Sequence, residues 1–211
     1  MESDTHRSRK LDHAAHLLET LVSERRISSP AAETALKHVG CLSVMSIKQR
    51  TDTDCGPTVL YAIATHYGIR ADRAELDRMC NPDPDEGTVH EVLVSVAEKI
   101  GLRAEQASNA TVSDIEHWVD LGVPVIVDYI VKETLLPEDL VRHLPLGFER
   151  RRLFEHYSIV VGYDEKDIFI LDVRSGKEVR YSKSKFEREW TEGKLDHEPD
   201  QDRWMVVFLP K

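Results

Sequence analysis

The chain has 211 residues, enough for one domain with an appendage, and its 41% hydrophobic and 31% charged residues suit a globule around one sizeable core. A formal net charge of −10 argues against non-specific binding to nucleic acid or to an anionic membrane, since both reward clustered Lys and Arg. No apolar run approaches the length of a membrane span, and the opening MESDTHRSRK lacks the apolar stretch of a signal peptide, so a cytoplasmic protein is expected.

The first elements read as helices. Leu11, Ala14, Ala15, Leu18, Leu21 and Val22 fall at helical spacing. Ser29-Pro30 restarts the pattern as N-cap and first helical residue, and Gly40 stops it. Residues 1–40 are therefore expected to be an N-terminal helical extension, with the main domain over 41–211. CLSVMSIK, from Cys41, reads as extended chain. Cys55 to His66 reads as a buried helix ended by Tyr67-Gly68, and Asp72 caps a short helix to Met79. NPDPDEG is a loop. Thr88-x-x-Glu91 and Ser113-x-x-Glu116 have the form of capping boxes opening two further helices.

Beyond residue 123 the character changes. PVIVDYIV is a strand rich in β-branched residues, and YSIVVGY with DIFILDV forms a hairpin apolar on both faces. EVRYS is a further strand, Ser182 to Trp190 a helix, and RWMVVFL a final strand. Helices followed mostly by strands give an α+β protein with a helical half and an antiparallel sheet half.

The three cysteines, Cys41, Cys55 and Cys80, are odd in number and form no CxxC pair, so neither a disulfide framework nor a cysteine-rich zinc site is expected. Cys55 is unusual because it sits where a helix begins, between QRTDTD and GPTVL. Unpaired N–H groups and the partial positive charge at a helix start favour a thiolate, which is the nucleophilic form of cysteine. Asp52 and Asp54 oppose it by like charge, so a nearby base is needed, most naturally a histidine. The alternative is a small apolar residue at a helix start.

Among ten histidines, His13 and His16 could share a metal but read as a solvated face, and no third ligand accompanies them. His66 lies at the far end of the Cys55 helix, roughly 16 Å away. His90, His117 and His143 show no partner pattern. His156 opens a strand followed by an apolar run, where a polar group requires a hydrogen-bond partner. With the hairpin turn near Glu165, paired positions sum to about 330, placing Asp172 opposite Ser158 and diagonal to His156 on one face. Asp164 and Asp167 are the alternative acids, in the turn. Cys55, His156 and Asp172 then form a candidate nucleophile, base and orienting acid.

These residues resemble the papain-like cysteine peptidases that cut double-glycine leaders from bacteriocins and related peptides. The resemblance rests on Gln49, Asp54 to Pro57 (DCGP), His66 to Gly68, Glu75-Leu76, Gly87-Thr88, Gly101-Leu102, Pro124, His156-Tyr157, Gly162 to Glu165, Asp172, Phe186 and Trp190, over residues 43–209. It implies a papain-like fold and a peptide or protein substrate; no cofactor and no metal are expected, a metal-dependent enzyme being a distant reading for want of ligand spacing. It also implies a Cys55–His156–Asp172 triad with Gln49 and the Cys55 N–H as oxyanion hole. Val173 follows Asp172 where the family has Pro. The segment from Asp128 to Glu155 is expected to form one or two helices near the cleft, as a lid, specificity element or insertion, with FERRRLF as a solvated helix face. No ATPase motif follows, so a stand-alone member is expected. A papain-like acyltransferase and a catalytically silent peptide-binding module are the rival readings.

Overall fold

The computed structural model describes residues 20, 23, 41–84, 87–134, 151–191 and 203–211, with the backbone alone at 132–134, 151–153 and 191. The expected extension over 1–40, His13, His16 and His143 lie outside the described residues, apart from helical Thr20 and Ser23.

The described elements run in the order α1 (Cys55–His66), α2 (Arg73–Cys80), α3 (His90–Lys99), β1 (Leu102–Ala107), α4 (Val112–Asp120), β2 (Val125–Thr134), β3 (Arg151–Tyr163), β4 (Asp167–Asp172), β5 (Lys177–Ser182), α5 (Lys183–Thr191) and β6 (Met205–Pro210). The strands form one sheet in the order β1-β6-β2-β3-β4-β5, every neighbour antiparallel. The expected α+β class is the observed one.

The central strands read as unbroken apolar runs because both faces of the sheet are covered. Alternate residues serve two cores. Tyr157, Ile159 and Val161 of β3 and Phe169 and Leu171 of β4 pack with α1, α2 and α3. Val160, Ile168 and Ile170 pack with Val112, Ile115 and Val119 of α4 and Phe186 and Trp190 of α5. Edge strands β1 (LRAEQA) and β5 (KEVRYS) carry the charges that discourage pairing with another chain.

The β3–β4 register pairs Ile159 with Leu171 and Val160 with Ile170, as the expected sum requires; an irregularity between Val160 and Gly162 then shifts it by one toward the turn. Near His156 the pairing with β4 has ended, while pairing with β2 continues to Thr134–Arg151. Among the described residues, no strand pairs with β3 on its β4 side at His156.

Several expectations are corrected. Helix α3 is capped by Val89, with no side-chain bond from Thr88, which is instead buried against α1. The capping box of α4 is Thr111 with Asp114, two residues before the expected Ser113, and the helix starts accordingly earlier. Within the segment from Asp128 to Glu155, the described ends are strands that extend the β2–β3 hairpin; Arg151 to Phe154 of FERRRLF lie in β3, and residues 135–150 are outside the described residues. Among the described residues, no helix is long and apolar enough to cross a membrane.

Candidate active site

Cys55 is the first residue of α1 and 6% exposed. Its position follows from Asp54. That carboxylate turns back along the chain and accepts from the backbone N–H groups of Arg50, at 3.0 Å from both oxygens, and of Thr51, at 2.9 Å. Arg73 Nη2 of α2 reaches it at 3.5 Å and donates to Lys48 O and Thr58 Oγ1. The charge expected to oppose a thiolate is therefore engaged in folding the 49–54 loop, and α1 begins without a side-chain cap.

Gln49 is buried at the start of that loop. Its backbone N–H donates to Val173 O at 2.7 Å, tying it to the residue after Asp172. Its amide Nε2 donates to Thr51 O at 2.7 Å, and Oε1 is buried without a partner among the described residues. One Nε2 hydrogen is left over for a further acceptor.

His156 is 2% exposed and lies at 3.0 Å from Asp172 Oδ1 through Nε2. Tyr129, its direct partner on β2, and Phe154, two residues earlier, meet the imidazole edge-on at centroid distances of 6.1 and 6.3 Å. These rings restrict the imidazole plane. Burial pulls the His156 pKa down, but hydrogen bonds with Asp172 and with Cys55 outweigh it, leaving it raised to about 9. Since Nε2 is taken by Asp172, Nδ1 is the nitrogen left for Cys55.

Asp172 ends β4. Burial pushes its carboxyl up, and the hydrogen bonds from His156 and Ser175, the His156 charge and the Arg174 N–H overcome this, lowering it to about 2. The Arg174 and Ser175 N–H groups reach its two oxygens at 2.9 and 3.2 Å.

The structure thus joins His156 to Asp172 by a hydrogen bond and sets Cys55 near enough to help raise the His156 pKa, with Gln49 anchored beside the Asp172 end. The other candidates go elsewhere. His66 Nδ1 meets Ser43 O at 3.0 Å, and Asp164 accepts from the Lys166 and Asp167 N–H groups in the turn. Cys80 is a buried thiol, pushed up to about 12 by burial and then by the charge on Cys55. None of the three cysteines forms a disulfide.

Sequence reasoning missed a second histidine–aspartate pair. His90, the first residue of α3, meets Asp128 Oδ2 at 2.9 Å through Nε2 and stacks on Trp204 at 3.8 Å. Asp128 lies directly opposite Tyr157 across the β2–β3 ladder. No local pattern links residues 38 apart; only the strand register, once known, points to it.

The model of the Peptidase_C39 like family matches residues 41–194. Among solved structures, the chain resembles the peptidase domain of Streptococcus ComA, a bi-functional ABC transporter of a quorum-sensing pathway. Identity is 24% and the TM-score 0.56, over 80% of this chain and 100% of that one. A structure described as a C39-like peptidase from Bacillus anthracis is 18% identical at a TM-score of 0.59, over 80% and 96% of the two chains. A double glycine motif protease from an AMS/PCAT transporter, solved with a leader peptide, is 16% identical at 0.56, over 82% and 95%. None of the curated proteins compared with the chain matches it. At these identities the solved structures speak for the fold alone, and the family match covers most of the chain: this protein belongs to the Peptidase_C39 like family and has its papain-like α+β fold.

Proposed function

We propose that this protein is a cysteine peptidase in which Cys55 is the nucleophile, His156 the general base and acid, Asp172 the group that orients His156, and Gln49 an oxyanion donor. The observation that supports the reading is the buried His156–Asp172 pair, Nε2 to Oδ1 at 3.0 Å, with Cys55 at the start of a helix and close enough to His156 to help raise its pKa.

The chemistry follows from those positions. His156 takes the thiol proton of Cys55, and the helix start and the imidazolium stabilise the thiolate. Sulfur attacks the scissile carbonyl carbon. The oxyanion accepts hydrogen bonds from the Cys55 backbone N–H, which has no intrahelical partner at this position, and from the remaining Nε2 hydrogen of Gln49. His156 delivers its proton to the departing amine, leaving a thioester on Cys55. It then deprotonates a water that attacks the thioester, and the released thiolate recovers a proton as the carboxylic product leaves. Asp172 holds the imidazolium throughout without becoming protonated.

The substrate is a peptide with small residues, Gly-Gly among them, before the cut. Family membership supports this, and the double glycine motif protease that shares the fold was solved with a leader peptide. The test is to follow iodoacetamide alkylation of each cysteine against pH by peptide mass spectrometry, in wild type and His156→Ala, and to assay Gly-Gly peptides in parallel. Cys55 should react rapidly well below the thiol reference of about 8.5 and slow without His156. An accessible Cys55 that titrates as an ordinary thiol and ignores His156 defeats the reading.

A further inference from the structure

The residues after Cys55 and after His156, Gly56 and Tyr157, are linked through a single third residue, Thr88. Tyr157 donates its buried hydroxyl to the Thr88 carbonyl at 2.8 Å. The Thr88 side chain lies against Gly56 so closely that a Cβ there would stand 2.7 Å from both Thr88 Cβ and Oγ1. Only a glycine at 56 permits this approach.

Thr88 is itself held from behind. Two residues on, His90 is bonded to Asp128 at 2.9 Å and stacked on Trp204. Asp128 faces Tyr157 across the β2–β3 ladder, and the Tyr157 ring packs at 5.7 Å from His90 and 6.0 Å from Trp204. The contacts close on themselves: Tyr157 to Thr88, along the chain to His90, across to Asp128, and through the ladder back to Tyr157. A closed circuit of this kind resists shear between the start of α3 and β3, because no member can move without breaking a buried polar contact. Through Gly56 the same circuit bears on the start of α1.

We infer that Thr88, Tyr157, His90 and Asp128 form a brace that sets the separation between Cys55 and His156. They are positioning residues, Thr88 and Tyr157 making the direct link and the His90–Asp128 pair anchoring it. The inference rests on the catalytic reading of Cys55 and His156. It explains why a threonine that opens no capping box is buried, and why a second histidine–aspartate pair ties the start of α3 to β2. Burying two titratable groups is costly unless they pair; in the brace His90 Nε2 meets Asp128 Oδ2, leaving Oδ1 without a partner among the described residues, and the pair fixes the loop that carries Thr88.

The test is the pH profile of Cys55 alkylation in Tyr157→Phe, with Tyr163→Phe as control. Tyr163 also spends a buried hydroxyl, on Asp120 at 3.0 Å, but on the opposite face of the sheet. If the brace sets the thiolate–imidazolium distance, the acid limb of the Cys55 alkylation profile moves to higher pH in Tyr157→Phe, slowing alkylation on that limb about tenfold for each pH unit of displacement. Tyr163→Phe leaves the profile in place. With a cleaved peptide in hand, kcat falls in Tyr157→Phe while KM holds. Gly56→Ala presses on the same contact from the α1 side and is favoured by helix propensity, so it reads the brace independently if Tyr157→Phe does not fold. A wild-type profile in the folded brace variants, with His156→Ala still slowing Cys55, overturns the brace and leaves the catalytic reading standing. A Cys55 indifferent to His156→Ala removes both.

Discussion

His156 meets Asp172 Oδ1 through Nε2 at 3.0 Å, which leaves Nδ1 clear of that contact. The carboxylate is acceptor-only, and this forces the proton onto Nε2 in the neutral ring and frees Nδ1, the nitrogen that takes the thiol proton in the proposed mechanism. Asp172→Asn can present its NH2 instead, which selects the wrong tautomer. We expect kcat to fall roughly 10²- to 10⁴-fold with KM little changed. Full turnover in the asparagine variant, measured on any cleaved peptide, would mean that Asp172 serves only the Arg174–Ser175 turn.

The same pair makes stability depend on pH with a defined sign. His156 is raised from 6.5 to about 9, so its contribution is complete below 6.5 and is lost as pH climbs through 9. Asp172 is lowered from 3.8 to about 2, so its contribution is present above 3.8 and disappears as pH drops through 2. Urea midpoints across pH 5 to 10 should therefore decline more in wild type than in His156→Ala over the interval from about 6.5 to 9. Parallel curves would show that His156 is not charged in the resting protein.

Gln49 and Asp54 separate oxyanion stabilisation from assembly of the loop. Gln49→Ala should lower kcat by about 10²- to 10³-fold and shift the Cys55 alkylation profile less than Asp54→Ala does, because the proposed oxyanion donor acts on charge formed during reaction and its removal costs the loop a single bond, to Thr51 O. Asp54→Ala leaves the Arg50 and Thr51 N–H groups without their acceptor, at a cost of about 1–3 kcal/mol, and should disturb both readouts. If Gln49→Ala also flattened the alkylation profile, its part would be structural.

What the sequence made legible was whatever is written locally or at a fixed register. The start of α1 at Cys55, the Asp72 cap of α2 and the β3–β4 pairing that carries Asp172 toward His156 each follow from neighbours in the chain or from a single turn. Strand β1 was missed because LRAEQA is a polar edge strand with little apolar alternation, and it exists through pairing with β6, about a hundred residues away. Thr88 matched a capping pattern but is drawn into packing on Gly56, a tertiary demand that outweighs the local one. Asp54 reads as a charge hostile to a thiolate until its loop is folded and the carboxylate is seen to turn away toward Arg50 and Thr51. The His90–Asp128 pair depends on the relation of α3 to β2, which no short window contains.

Gly162 tests whether the chain leading to the site is one unit or two. A Cβ there would meet Cys41 Sγ at 2.8 Å, Phe169 Cδ2 at 2.9 Å and the Cys41 Cα at 3.2 Å, so the Cys41 and Phe169 side chains must shift. Gly162→Ala should cost about 1–3 kcal/mol by overpacking. It should also break the Leu42 N–H bond to Val161 O and make Cys41 more reactive toward iodoacetamide. Gln49 has its own anchor at Val173 O, so the loop that bears it should hold and Cys55 should alkylate as in wild type. Loss of Cys55 reactivity in this variant would show instead that residues 41–49 move as one piece and that the site depends on their seat against β3.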